Sequence, residues 1–256
     1  MNFIYMANGR VGFEILRWLA GRGDHPAAIV IHPQARARFR DEILSSTNLG
    51  PEHILEGSAL RSAEGVAWLA NHEPDWFVSV YFGYILNSQA LGIPRNGAIN
   101  LHPALLPFNR GAYPNVWSIV DHTPAGVTLH FMDPNVDTGD IIAQQEVPVY
   151  PIDTGAALYA RLEEAALALF KEAWPAICTH TFHRKAQIGS GTLHRISDVA
   201  RIDRIDPDEK MRAGDLVDII RARTFPPYRG AYLDLGDRRI YLRLELTEEI
   251  IGGSED

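Results

Sequence analysis

Short apolar runs recur along the first two-thirds of the chain, and most are followed by a segment with helical spacing. Residues 3–7 read Phe-Ile-Tyr-Met-Ala, residues 27–31 read Ala-Ala-Ile-Val-Ile, and residues 75–81 carry Trp76, Phe77, Val78 and Val80. Runs this short, apolar at successive positions and rich in β-branched and aromatic residues, are strands covered on both faces. A weaker run at 53–56 and a stronger one at 97–101 add two more. Residues 62–71 and the stretch up to Leu19 place apolar residues three and four apart, the spacing of an amphipathic helix. Strands alternating with helices predict an α/β fold: a Rossmann-like, mostly parallel sheet with helices on both faces. Segments 126–132 and 141–149 predict a hairpin at the sheet edge, and 113–120 a short helix. A long helix is expected over 154–174, capped by Thr154 and stopped by Pro175.

Past Pro175 the pattern loosens. Residues 176–210 are polar and irregular, with Gly189-Ser-Gly191 as a flexible spot. Residues 213–222 have helical spacing, and 232–246 read as a β-hairpin turning at Gly236-Asp237. The expected organisation is one domain over 1–180 and a C-terminal extension over 181–256 holding the short helix and the hairpin. An apolar, β-prone hairpin needs cover, so a homodimer is expected.

Composition narrows the function classes. The chain has 256 residues, 46% of them apolar, and a formal net charge of -8 with no long basic run. Binding to a nucleic-acid backbone is driven by clustered Lys and Arg, so no nucleic-acid partner is expected. Cys178 is the single cysteine, so there is no disulfide framework. No apolar run approaches the ~20 residues of a membrane helix. The opening apolar run lacks a basic n-region and reads as a strand, so a cytoplasmic protein with no membrane partner is expected. Cys178, His180 and His183 lack a fourth ligand, and no metal is expected.

Candidate chemistry concentrates in one stretch, Ala98-Ile-Asn-Leu-His-Pro-Ala-Leu-Leu-Pro-Phe-Asn-Arg-Gly-Ala-Tyr113. Asn100 and His102 are two apart at the exit of a strand, so both face one side. A carboxamide stabilises a developing oxyanion, and an imidazole moves a proton near neutral pH. Elsewhere, Asn8-Gly-Arg-Val-Gly12 follows the first strand but lacks the full three-glycine fingerprint. Two readings stay open there: a tight turn only, or an anion site at a helix N-terminus. Arg36, Arg38 and Arg40 are the densest basic cluster, either a solvated face or a phosphate clamp.

The Asn100-Leu-His102 pair, the Leu105-Leu-Pro107 loop and the Val136-Asp-Thr-Gly-Asp-Ile141 segment resemble, in order and spacing, the folate-dependent formyltransferases. That family includes glycinamide ribonucleotide, methionyl-tRNA and sugar-nucleotide enzymes. The resemblance implies transfer of a formyl group from N10-formyltetrahydrofolate to an amine. It assigns catalytic roles to Asn100, His102 and Asp137. It places the pterin against Phe82, Gly83, Tyr84, Ile85, Leu86 and residues 133–137, Asp133 and Val136 among them, with Leu105 and Leu106 as apolar wall.

For the acceptor, methionyl-tRNA enzymes carry a further basic C-terminal domain, whereas this chain ends early and with acidic Glu248, Glu249, Glu255 and Asp256. The aromatic, Arg- and Pro-rich segment 221–232 is similar to that of the sugar-nucleotide N-formyltransferases. This implies a sugar-nucleotide partner such as GDP-perosamine or a dTDP-4-amino-4,6-dideoxyhexose, used for surface polysaccharide (O-antigen). Asn8, Gly9, Arg10, Arg36 and Arg38 are the candidates for the diphosphate, and Asn109, Arg110 and Tyr113 for the hexose. A methionyl-tRNA-type enzyme acting on another amine, a formyl-folate hydrolase and a non-catalytic sensor are the alternatives.

Overall fold

The computed structural model describes residues 1–249 and 251. In chain order its first elements are β1 (Phe3–Ala7), α1 (Gly9–Arg22), β2 (Ala28–Ile31), α2 (Arg40–Ser45), β3 (Ile54–Glu56), α3 (Ala63–Asn71), β4 (Trp76–Val80) and α4 (Ser88–Leu91). Then follow β5 (Ala98–His102), β6 (Arg110–Gly111), α5 (Pro114–Val120), β7 (Ala125–Phe131), β8 (Ile141–Val147) and α6 (Gly155–Thr179). The remainder holds β9 (Leu193–His194), α7 (Val199–Asp203), α8 (Ala213–Arg223), β10 (Tyr232–Leu235) and β11 (Arg238–Tyr241). Seven strands form one sheet in the order β3-β2-β1-β4-β5-β7-β8. The first five are parallel; β7 and β8 join antiparallel, as the expected edge hairpin. The α/β architecture is the one the apolar pattern predicts.

Period-two alternation divides the core. On β1, Phe3, Tyr5 and Ala7 pack with side chains of α1, α5 and α6, while Ile4 and Met6 pack with those of α3 and α4. Covered on both faces, the strand must be apolar throughout. The first turn is tight: a Cβ on Gly12 would lie 2.8 Å from that of Ala7, so a larger residue would push α1 off the sheet.

Three expectations are corrected. The long helix starts at the expected cap, where Thr154 Oγ1 accepts from the Ala157 N–H, but it runs through Pro175 to Thr179. Trp174 and Ile177, on either side of the proline, are both fully buried. Trp174 stacks on Phe170 and meets Phe3 edge-on, and its indole donates to Asp24. A proline inside a helix costs about 3 kcal/mol. Burying a large apolar side chain stabilises by about 1.5–3 kcal/mol, so packing carries the helix across the break. Secondly, the terminal hairpin turns at Gly236-Asp237 but pairs only Tyr232–Leu235 with Arg238–Tyr241. Leu242 and Leu244 fold back instead onto Ile205, Ile220 and Ala231. Thirdly, 176–210 is not irregular throughout: it contains α7, and β9 pairs parallel with β6. Of the acidic tail, Glu255 and Asp256 lie outside the described residues.

Candidate active site

One row of side chains crosses three neighbouring strands, Ser79 on β4, Asn100 on β5 and His130 on β7. His102 lies two residues further along β5, on the same face and opposite Thr128. All five are buried. Ser79 Oγ donates to Asn100 Oδ1 at 2.8 Å, and Asn100 Nδ2 is 3.3 Å from His130 Nε2. His130 Nδ1 donates to the Phe131 carbonyl at 2.7 Å, so neutral His130 offers a lone pair at Nε2. Burial favours that neutral form. It pulls the His130 pKa from 6.5 down to about 4, against the attraction of Asp137. The network therefore orients the Asn100 amide: its oxygen receives Ser79, one N–H meets His130, and the second N–H is left for a further acceptor.

His102 Nε2 lies 3.3 Å from the Asn109 carbonyl and 3.6 Å from Asp137 Oδ2. Both neighbours are acceptors, so Nε2 carries the proton and Nδ1 the lone pair. Asp137 reaches the centre from a loop. Its Oδ1 lies 3.6 Å from His130 Nε2, and its Oδ2 accepts the Gly111 N–H at 2.8 Å. Gly111 has φ +85, and a Cβ there would lie 2.3 Å from the His194 carbonyl, so that amide can be presented only by glycine. The histidine loop is tied down by two polar side chains of the edge hairpin. Thr128 Oγ1 donates to Ala104 O at 2.6 Å and accepts from the Leu106 N–H. Gln144 Nε2 donates to Leu106 O at 2.7 Å.

The residues expected to hold the pterin divide. Phe82, Leu86 and Leu106 are buried, Leu105 and Val136 are half-buried, and Ile85 and Gly83 are exposed. Phe82 and Tyr84 pack against His32. The Asp133 carboxylate accepts from the Asn135 N–H and the Thr138 hydroxyl within its own loop. A groove of about 330 Å³ runs beneath that loop, lined by Leu91, Phe131, Met132, Asp133, Thr138 and Arg184 among others. Asn100 and His102 do not line it.

Of the residues expected to meet the acceptor, Asn8 Oδ1 accepts the Arg38 N–H and the Gly9 N–H donates to the Arg38 carbonyl. The first turn and the basic segment are thus one unit. Arg10 pairs with Glu163 at 2.8 Å and Glu164 at 2.7 Å, both on α6. Arg38 donates to the Tyr228 hydroxyl and lies over its ring, while Arg36 is exposed. Tyr113 precedes α5 with the Arg223 guanidinium over its ring. Asn109 turns inward: it is fully buried, donating to Ser118 and Thr123 and accepting from Thr192. Arg110 donates to Gln187. Ser79, Thr128, Gln144 and Gln187 escaped the sequence reading. Ser79 alone left a signal, as the one polar residue of an apolar central strand. Among the described residues no cluster of His, Cys, Asp and Glu is arranged to hold a metal ion.

A formyl transferase family model matches residues 23–174, and that of the N-formyltransferase dimerization C-terminal domain matches residues 198–248. The chain belongs to the formyl transferase family. It is 34% identical over 152 residues to a dTDP-4-amino-4,6-dideoxyglucose formyltransferase of Mycobacterium bovis, a match covering 59% of this chain and 65% of that one, just under two thirds of its length. It is 30% identical over 257 residues to a methionyl-tRNA formyltransferase of Geobacter sulfurreducens, across 94% of this chain and 77% of that one. A sugar N-formyltransferase from a Shewanella species shares the fold at a TM-score of 0.85, with 24% identity over 98% of this chain and 99% of that one. The formyltransferase PseJ of Anoxybacillus kamchatkensis, solved with UDP-4,6-dideoxy-4-formamido-L-AltNAc and tetrahydrofolate, is 27% identical at a TM-score of 0.57 over 78% of this chain and 89% of that one.

Proposed function

We propose that this chain transfers a formyl group from N10-formyltetrahydrofolate to the amine of a nucleotide-linked amino-deoxy sugar. The observation that carries the reading is the oriented Asn100 amide, with one N–H unused, beside His102 and Asp137. Formyl-folate supplies the carbonyl carbon that the amine attacks; its N10 is the leaving group and departs as the neutral amine by taking the proton that His102 has accepted from the attacking amine. The free Asn100 N–H donates to the oxygen as negative charge develops there. One such donor contributes on the order of 3 kcal/mol to the transition state. His102 Nδ1 takes the proton released by the attacking amine. The carboxylate of Asp137 stabilises the imidazolium so formed, through the Nε2–H.

Support for the acceptor class comes from the relatives named above and from the charge of the chain. The acceptor favoured is dTDP-4-amino-4,6-dideoxyglucose, named in the Mycobacterium relative. GDP-perosamine is the second member of the class, and surface polysaccharide (O-antigen) the destination. Residues 1–180 would form the catalytic domain and 181–256 the extension through which two copies pair, in keeping with the match to a dimerization domain. The compartment we favour is the cytoplasm. Among the described residues no helix is long and apolar enough to cross a membrane. A methionyl-tRNA acceptor is the second reading, favoured by the match over 94% of this chain.

An acceptor screen with formyl-folate separates the readings. It pairs dTDP-4-amino-4,6-dideoxyglucose, dTDP-3-amino sugars, GDP-perosamine and charged methionyl-tRNA in turn with the chain. Formamide product on a sugar nucleotide is the expected result. Turnover with methionyl-tRNA alone would overturn the acceptor assignment, and steady formate release without acceptor would mark a hydrolase.

A further inference from the structure

Gln187 lies between α6 and β9, some fifty residues from the acidic loop, and among the described residues its carboxamide bonds the two loops of the centre. Oε1 accepts from Arg110 Nη2 at 2.7 Å and Nε at 3.2 Å. Nε2 donates to the carbonyls of Asp137 at 2.8 Å and Gly139 at 2.9 Å. Two lone pairs and two protons are matched by four partners, so the group is saturated. One pair of partners belongs to the acidic loop, the other to the histidine loop.

Asp137 needs such a holder. Its backbone has φ +53, a left-handed conformation that few side-chain-bearing residues adopt, Asp among the few. Its side chain is anchored by the Gly111 N–H, next to Arg110. Asp137, Gly111, Arg110 and Gln187 thus close a ring, with one link through the carboxylate and one through the Asp137 carbonyl. The segment carrying Gln187 is itself fastened beside β6 by Thr192: the Asn109 N–H donates to Thr192 Oγ1 at 2.7 Å, and the Arg110 N–H to Thr192 O at 3.0 Å.

We propose that Gln187 is a positioning residue for formyl transfer: it locks the acidic loop to the histidine loop, so that Asp137 stays beside His102. This rests on the reading of Asn100, His102 and Asp137 as the reacting centre. Leucine at 187 keeps the bulk and loses all four hydrogen bonds. Glutamate keeps the acceptor for Arg110 and donates to a loop carbonyl only when protonated.

The test compares Gln187→Leu, Gln187→Glu and His102→Ala with the parent chain, using formyl-folate and dTDP-4-amino-4,6-dideoxyglucose. For Gln187→Leu, kcat falls about 10–100-fold, the range seen when an orienting partner is lost. Any rise in the sugar-nucleotide KM, through the released Arg110, is smaller than the fall in kcat. The kcat of Gln187→Glu relative to the parent rises as pH falls into the carboxyl range. Hydrogen exchange quickens over 133–140 in Gln187→Leu and is unchanged over 98–102. Parent-like kcat and exchange in Gln187→Leu, or a raised KM with kcat intact, would overturn the assignment. If His102→Ala keeps the parent's kcat, the centre is misplaced and this role falls with it. If His102→Ala is inactive while Gln187→Leu is parent-like, only the role of Gln187 falls.

Discussion

On one side of His102 stand Ser79, Asn100, Thr128 and His130, short side chains on adjacent strands whose register is fixed by backbone hydrogen bonds. Each is buried; Ser79, Asn100 and His130 find their partners on the neighbouring strand, and Thr128 holds the Ala104 carbonyl of the histidine loop. Arg10, Arg36, Arg38 and Tyr113, by contrast, project from turns and helix starts and are wholly or partly exposed. Their partners are also within the chain: Glu163 and Glu164 for Arg10, Tyr228 for Arg38. The difference is one of exchangeability. A buried row cannot swap partners without leaving a polar group unpaired, which costs about 1–3 kcal/mol. A half-exposed ion pair is worth about 0–1 kcal/mol, so a diphosphate can displace a carboxylate from Arg10 at small cost. Rate should therefore reside on the sheet side and acceptor affinity on the turn side.

The sharpest contrast is expected from Asn100→Ala. Loss of one oxyanion donor should lower kcat about 10²–10³-fold, with sugar-nucleotide affinity preserved in a calorimetric titration. Ser79→Ala should come next. It releases Asn100 Oδ1 and lets the amide turn, lowering kcat about 10–100-fold in steady-state assays with KM steady. A Ser79→Ala variant that changed KM alone would break the division between the two sides. Arg10→Ala should raise the acceptor KM about tenfold, the value of one charge-assisted hydrogen bond, and spare folate affinity. An unchanged KM would remove Arg10 from the acceptor site.

A separate effect, outside the contrast between rate and affinity, is expected on stability against pH. His130 has a folded-state pKa of about 4 against 6.5 when free. Between those values the unfolded chain binds the extra proton, so stability falls as pH drops through the window and levels off below it. Melting temperatures of the parent should decline from pH 6.5 to 4 more steeply than those of His130→Gln. Parallel profiles would contradict a buried neutral imidazole.

Much of this centre is legible in the sequence. Asn100 and His102 declare themselves by period two on a strand. Asp137 enters through its place in a family pattern, since nothing local says that the loop 133–140 folds back. The rest depends on tertiary contact. Asn109 is expected to meet the hexose beside Arg110, yet with φ +56 it turns inward to three hydroxyl groups. Pro175 is a stop signal overruled by the burial of Trp174 and Ile177. Gln187 sits in a polar stretch with no periodicity, and the bridge between Ile141 and Lys185, together with the pairing of β9 with β6, brings it to the acidic loop.

The most direct test is the rate of formyl transfer by His102→Ala at saturating sugar nucleotide and formyl-folate, measured beside the dissociation constant for the sugar nucleotide. The expected result is a kcat lowered at least about 10²-fold, the contribution of a positioned general base, with that dissociation constant within about threefold of the parent's. Retained kcat, or a loss of binding that accounts for the whole loss of rate, would contradict the account.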